Sequence, residues 1–319
     1  MNEKIEIQRR LKTVPPEKRQ RKFDGGMVEK KTALGITYEV FLTIFMVTVI
    51  LVCVVPMWDV LMSSVSDGKT LMATQNIAWW PMGVDDGVFN WGGYELLSQN
   101  DDIWTGYLNT LIYVVFATLL GFALNVIGGY VLSRKTIFER PLAFIIMFTM
   151  MFNGGLIPTY MVIRALGMVG TRMALIIPGC TNGIFMLIMS NAFRDVPEST
   201  VEAAQIDCAG HLTTMFKIML PQAMSMATVI ILNSVIIQWN SWYSASIYIP
   251  TKRDLWPLQL WIKEIIAQTG NFMQAANPNY NQYLLQYCVI VIATAPILMA
   301  FPLFLKYIEK GVIVGGVKE

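Results

Sequence analysis

Few residues in this chain are equipped for covalent chemistry. The single histidine, His211, has no Ser, Asp or metal-ligand constellation around it and reads as a surface residue. Cys53, Cys180, Cys208 and Cys288 form no Cys-x-x-Cys pair, so neither a disulfide framework nor a metal centre is indicated. Gly68-Lys69-Thr70 is not a phosphate-binding loop, because Ser63 stands where the first glycine belongs. The residues whose spacing suggests work are of another kind. Glu202, Ala203, Ala204, Asp207, Cys208 and Gly210, followed by Ile218, Leu220 and Pro221, make a polar, helix-compatible segment between two long apolar runs. Such a segment has no use for lipid and suits docking to a soluble partner. Gln238, Trp239, Asn240, Trp242 and Tyr243 form a second group: aromatic faces that stack on C–H-rich sugar rings, beside amides that pair with hydroxyls.

The elements that position these groups are set by composition. The chain is 55% hydrophobic and 14% charged over 319 residues, against roughly 25% charged in a soluble domain. The shortfall lies in uncharged runs at 40–57, 108–132, 142–163, 173–193, 223–250 and 283–305. Each approaches or exceeds the ~20 residues that cross a bilayer as a helix. The expected fold is therefore all-α and polytopic, with six transmembrane helices over 36–305, the second and fifth tilted or broken. A basic arm, 1–35, precedes them and a short tail, 306–319, follows. The first span is too long, and its basic leader too extended, for a signal peptide, so it reads as a retained helix. Of the 24 Lys and Arg, only Lys69, Arg164, Arg172, Lys252, Arg253 and Lys263 fall outside the side that holds both termini. The positive-inside rule makes that side cytoplasmic, and the segment 194–222 with it.

Within the spans, Gly121, Asn125 and Gly129 lie one turn apart, and Gly179 and Gly183 form a Gly-x-x-x-Gly pair; both patterns suit close helix packing, with Asn125 bonding across the contact. Asn153-Gly154-Gly155-Leu156-Ile157-Pro158 should break the third span, and freed carbonyls there point to a wet cavity, with Asn153 and Tyr160 beside it. Asn233, Asn240 and Ser244 follow at helical spacing along one face of the fifth span. Interhelical bonding and an interfacial Trp/Tyr belt are the competing reading of these residues. No Asp, Glu, Lys, Arg or His lies deep in a span, which disfavours a proton-coupled carrier. The outer loop 63–104, with Trp79, Trp80 and Trp91, reads either as such a belt or as a partly folded surface for an extracytoplasmic partner. The loop 251–282 carries Asp254, Trp256 and Trp261, then an amide-rich stretch.

Pro197-Glu198 starts a helix through Glu202-Ala203-Ala204; Pro221 closes the segment. Glu202 and Asp207 present charge to a basic groove, and Ala203 and Ala204 permit close approach. The spacing resembles the Glu-Ala-Ala loop of bacterial ABC importer permeases, with Cys208 where that pattern has Gly. Gly210 is expected to supply the bend that Gly would give. From about residue 35 onward the chain looks like a permease subunit of carbohydrate-uptake importers of the maltose and oligosaccharide type. Asn153 to Tyr160, Trp239-Asn240-Ser241-Trp242, Asp254 to Leu260, and Lys306-Tyr307 with Lys310-Gly311 carry that likeness.

The resemblance implies a type I permease fold in the bacterial plasma membrane, paired with a second, homologous permease. It implies two cytoplasmic ATPases docked on the Glu-Ala-Ala loops, binding the ATP and Mg that this chain does not. An extracytoplasmic solute-binding protein would deliver the oligosaccharide near Asp254, Trp256 and Trp261. The tail from Lys306 would reach the ATPase interface. No nucleic acid, metal or catalytic residue is implied. The rival reading is a self-contained carrier or channel for a polar solute, independent of ATP.

Overall fold

A computed structural model describes residues 33–74, 76–83, 89–134, 137–272 and 282–316. The basic arm before residue 33, most of the amide-rich stretch (273–281) and the side chains of the tail from 306 on lie outside the described residues. Among those described, every regular element is helical. The chain divides into two compact units, Met1–Trp58 and Asp59–Glu319.

The first unit is dominated by helix α1 (Ala33–Ser64), which continues past its boundary. Val40, Phe41, Leu42 and Ile50, which point in four directions around the axis, are all exposed, so the helix is apolar around its girth, as lipid requires. Its two mid-helix hydroxyls are satisfied internally: Thr43 donates to the Glu39 carbonyl and Thr48 to that of Ile44, each at 2.8 Å.

In the second unit follow α2 (Gly68–Thr74), α3 (Gly92–Ser98), α4 (Asp101–Ser133), α5 (Glu139–Met151), α6 (Leu156–Ala165), α7 (Met173–Gly179), α8 (Gly183–Arg194) and α9 (Glu198–Ile206). Then come α10 (His211–Gln222, holding a π-turn at Thr214–Met219), α11 (Met224–Trp239), α12 (Trp242–Tyr248), α13 (Leu258–Phe272) and α14 (Gln282–Gly316). Three helices, α1, α4 and α14, carry stretches long and apolar enough to cross a membrane alone. The count reaches six when each bent pair is one span: α5 with α6 (115°), α7 with α8 (46°), and α10 with α11 (86°). All six apolar runs of the sequence carry helix, and the third, fourth and fifth are interrupted, the fifth after Trp239, while the 86° bend lies at its start.

Local residues mark each break. At the first, Gly155 takes φ +83°, open only to glycine at low cost, and the Asn153 carboxamide accepts from the Gly155 N–H at 3.0 Å. This is where the sequence predicts it. At the second, Asn182 caps α8 by accepting from the Ile184 N–H at 3.0 Å, so the Gly179/Gly183 pair brackets a break rather than a continuous packing face. The third bend falls at Ala223, two residues after Pro221. The second span, expected to be tilted or broken, is one uninterrupted helix, α4.

Helix α4 is the hub, packed on α5, α7, α8, α11 and α13. Small residues set its closest approaches. A Cβ on Gly121 would stand 1.8 Å from the Cys180 carbonyl oxygen, and one on Gly129 would stand 2.8 Å from the Met189 Cβ. Asn125 between them is fully buried, but neither amide atom has a hydrogen-bond partner. The expected bond across the contact is therefore absent.

The loop between α1 and α4 is folded. The Ala78 N–H donates to Asp59 at 2.7 Å, the Asn90 N–H to the Val65 carbonyl at 2.9 Å, and the Tyr94 hydroxyl to Ser64 at 2.7 Å. Burial raises the Tyr94 phenol above its ordinary pKa, keeping it neutral as a donor. Trp80, Trp91 and Trp104 remain exposed on this surface.

Candidate functional site

The segment between α8 and α11 is two-faced because it is helical. Val201 and Ala204, three residues apart, are buried, and Val201 joins an apolar cluster with Val126, Tyr130, Phe193, Met215, Met219 and Ile230. Glu202, Ala203 and Ile206 point outward. Ala204 is therefore a packing residue of the segment itself, and the close approach expected of both alanines is left to Ala203. Ile206 is 82% exposed and Leu212 70%, flanking the bend with Asp207. These two apolar side chains were missed in the sequence, although Ile206 falls four residues after Glu202 and so on its face.

The bend itself overturns the expectation for Gly210. Helix α9 ends with the Cys208 N–H bonded to the Gln205 carbonyl at 3.0 Å and the Ala209 N–H to the Ala204 carbonyl at 2.9 Å. That is a Schellman closure, whose left-handed position is filled here by Cys208 at φ 55°. Gly210 is extended (φ −67°, ψ 159°), a conformation open to any residue. Cys208 thus does the conformational work of the glycine in the resembled pattern, at a strain of about 1–2 kcal/mol for a side-chain-bearing residue. Ile218 and Leu220 are half-buried, and Pro221 is exposed on the way into the bend. His211 is exposed as expected, yet it shares a 3.1 Å hydrogen bond with the buried Tyr130.

The aromatic and amide group divides in two. Gln238 and Trp239 are buried and serve as braces. Gln238 donates from Nε2 to the Gly179 carbonyl at 2.7 Å, satisfying an acceptor at the break in the fourth span. Pro296 in α14 removes an N–H and so frees the carbonyl of Ile292. Tyr107 donates its hydroxyl to that carbonyl at 2.5 Å, and the Trp239 indole donates to its neighbour on Ala293 at 3.1 Å. Asn233, Asn240, Trp242 and Tyr243 are exposed instead. Asn233 donates to Val229 at 2.9 Å and Asn240 to Ile236 at 2.8 Å, each within its own helix. An amide has a further N–H and a carbonyl to offer a hydroxylated solute. Because α11 ends at Trp239, Asn240 caps it and Ser244 sits in the next helix; the single face proposed for Asn233, Asn240 and Ser244 does not exist.

Trp242 meets Tyr243 edge-on, with centroids 5.6 Å apart, and the Lys263 ammonium lies 4.3 Å from the Trp242 ring centre. Asn153 is exposed at its break, and Tyr160 stacks on Tyr248 with centroids 6.3 Å apart.

Trp256 and Trp261 are buried with ring centroids 4.9 Å apart. The Trp256 indole donates to the Ile249 carbonyl at 2.9 Å. Arg253 covers both rings from 5.3 and 5.9 Å. Asn109 of α4 donates to the carbonyls of Asp254 (2.7 Å) and Trp256 (3.2 Å), and Arg172 donates to the Asn109 carbonyl oxygen at 2.9 Å. The loop is pinned, and what it displays is Lys252, Arg253 and Asp254, not the two tryptophans. Among the described residues no cluster of three His, Cys, Asp or Glu could hold a metal ion.

No protein-family model matches this sequence. The chain is 30% identical over 281 residues to the polygalacturonan/rhamnogalacturonan transport system permease protein YtcP of Bacillus subtilis (strain 168), covering 86% of this chain and 96% of that relative. It is 23% identical over 287 residues to the arabinooligosaccharides transport system permease protein AraQ of the same bacterium, covering 88% and 96%. Among solved structures, a chain of a bacterial ABC transporter involved in the import of the acidic polysaccharide alginate superimposes with a TM-score of 0.76. That match has 28% identity and covers 88% of this chain and 99% of that one.

Proposed function

The chain belongs to the permease subunits of carbohydrate-importing ABC transporters, and we propose that it couples to ATP hydrolysis through the outward face of its 194–222 segment. It is a multi-pass membrane protein and a transmembrane permease subunit of an ATP-driven oligosaccharide importer. The observation that carries the coupling role is the division of α9. Val201 fastens it to the helical core and Ala204 is buried beside it, while Glu202, Ala203 and Ile206 face outward between two spans. A helix held on one side and bare on the other transmits force from whatever sits on its bare side.

In this reading two cytoplasmic ATPases, which bind ATP and Mg, dock on this segment and its counterpart in a second, homologous permease. Both termini are cytoplasmic, in the plasma membrane of a bacterium. An extracytoplasmic binding protein delivers substrate onto the pinned loop that displays Lys252, Arg253 and Asp254. Closure of the ATPases moves both coupling segments and alternates the cavity between its two sides as a rigid-body motion. Asn153, Asn233, Asn240, Trp242 and Tyr243 are the path residues, with Gln238, Trp239 and Tyr160 behind them. Oligosaccharides of the acidic kind are the first substrates to screen, because Lys263 beside the Trp242 ring offers a cation next to a stacking face.

Proteoliposomes holding the complete importer test this. Uptake that requires ATP, the ATPases and the binding protein supports the proposal. Uptake by this chain alone without ATP would replace it with a self-contained carrier.

A further inference from the structure

We propose that Tyr130 and His211 form the strut that carries motion of the coupling segment into α4, acting as positioning residues for transport; this rests on the coupling role proposed above. The cluster beneath the segment is otherwise apolar, with Val201, Met215 and Met219 against Val126, Phe193 and Ile230, and the buried Thr214 hydroxyl is turned back onto the Gly210 carbonyl of its own segment. Apolar contacts resist compression but have little directionality, so they let one element slide or rotate on another. The 3.1 Å bond between the Tyr130 hydroxyl and His211 Nδ1 is directional and joins the two parts end to end.

Tyr130 is built as a fixed post. It lies near the end of the uninterrupted helix α4, is 8% exposed, and is held edge-on by Phe193 of α8 at 6.3 Å with an 84° interplanar angle. The Arg134 guanidinium covers its face at 4.9 Å, and Arg134 also reaches Met219 in the π-turn of α10. His211 stands at the start of α10, immediately beyond the bend that Cys208 makes. Helix α9 is fixed by its own buried residues, so among the described residues the second half of the segment is otherwise registered to α4 by apolar contact and by Arg134. Because α4 packs on α5, α7, α8, α11 and α13, movement delivered to it reaches every broken span. His211 is also the only histidine in the chain, and neither its position nor its partner is part of the Glu-Ala-Ala spacing.

The test uses the complete importer in proteoliposomes, with Tyr130→Phe, His211→Ala, the double variant, and His211→Asn, whose side-chain amide can stand in for Nδ1. Three quantities are read: ATPase co-purification, ATP hydrolysis, and substrate molecules moved per ATP. Each single variant is expected to retain its ATPases and to hydrolyse ATP. Transport per ATP should fall about two- to tenfold, the equivalent of one net hydrogen bond. The double variant should be no worse than either single one, and His211→Asn should recover coupling. Unchanged transport per ATP in Tyr130→Phe, or losses that multiply in the double variant, would overturn the strut. Loss of ATPase co-purification in Tyr130→Phe would reduce the pair to a structural contact and overturn it equally. Failure of the unmodified importer to couple at all would remove the coupling reading itself, and the strut with it.

Discussion

Gly121 of α4 lies so close to Cys180 that a Cβ at position 121 would stand 1.8 Å from the Cys180 carbonyl oxygen. The contact joins the hub helix to the break in the fourth span, and backbone cannot yield there as a side-chain tip could. Gly121→Ala should therefore cost at least about 2–3 kcal/mol, at the upper end of overpacking effects. Thermal unfolding in detergent measures it, with Gly210→Ala as the control because nothing lies within 4 Å of its would-be Cβ. Equal melting of the two variants would remove the close approach from the account.

Cys208 holds a left-handed conformation that glycine adopts without strain. Cys208→Gly should stabilise the chain by about 1 kcal/mol and leave transport intact. Gly210→Ala, at an extended position, should change stability by less than about 0.5 kcal/mol. A Cys208→Gly variant that melts normally and no longer transports would mean that the thiol itself has a task.

Trp239 braces the Pro296 region through the Ala293 carbonyl. Trp239→Phe keeps the ring and removes the donor, so stability should fall by about 1–3 kcal/mol for the stranded acceptor. The KM for transport should stay within about twofold, whereas Trp242→Ala should raise it severalfold if its exposed ring stacks on sugar. The reverse pattern, a normal melt with raised KM in Trp239→Phe, would make the indole a substrate contact.

Asn109 pins the loop before α13 through the carbonyls of Asp254 and Trp256 and through Arg172. Asn109→Leu should leave all three without their partner and loosen the loop. Limited trypsin digestion reads this directly, since Lys252 and Arg253 are exposed at the loop's tip. Cleavage there should accelerate severalfold in the variant. An unchanged digestion rate would show that Tyr113, which donates to the Leu255 carbonyl at 2.7 Å, suffices alone.

The sequence displayed the six apolar runs because span length is a property of composition. It displayed the break at Gly155 because glycine and proline act locally. It did not display the break at Cys180–Asn182, since Gly179 and Gly183 suit helix packing equally well. What stabilises that break is Gln238, fifty-nine positions away, bonded to the Gly179 carbonyl. The same long-range demand explains why Gln238 and Trp239 turn inward although their types suit a sugar. Residue type gives the capacity to bond, whereas the partner is decided by which carbonyls the folding of other helices leaves free. At the coupling segment the pattern was legible and the faces were not: Ala204 faces inward, and Cys208 takes the turn that Gly210 was expected to make.

On the proposed docking face of α9, Glu202 is the exposed charge offered to an ATPase. The most direct measurement is detergent co-purification of this chain with its second permease and ATPase, wild type against Glu202→Lys. The account predicts that wild type retains both partners, while the variant inserts normally, keeps the second permease and loses the ATPase. Co-purification of the ATPase at wild-type levels with Glu202→Lys, together with undiminished uptake, would contradict it.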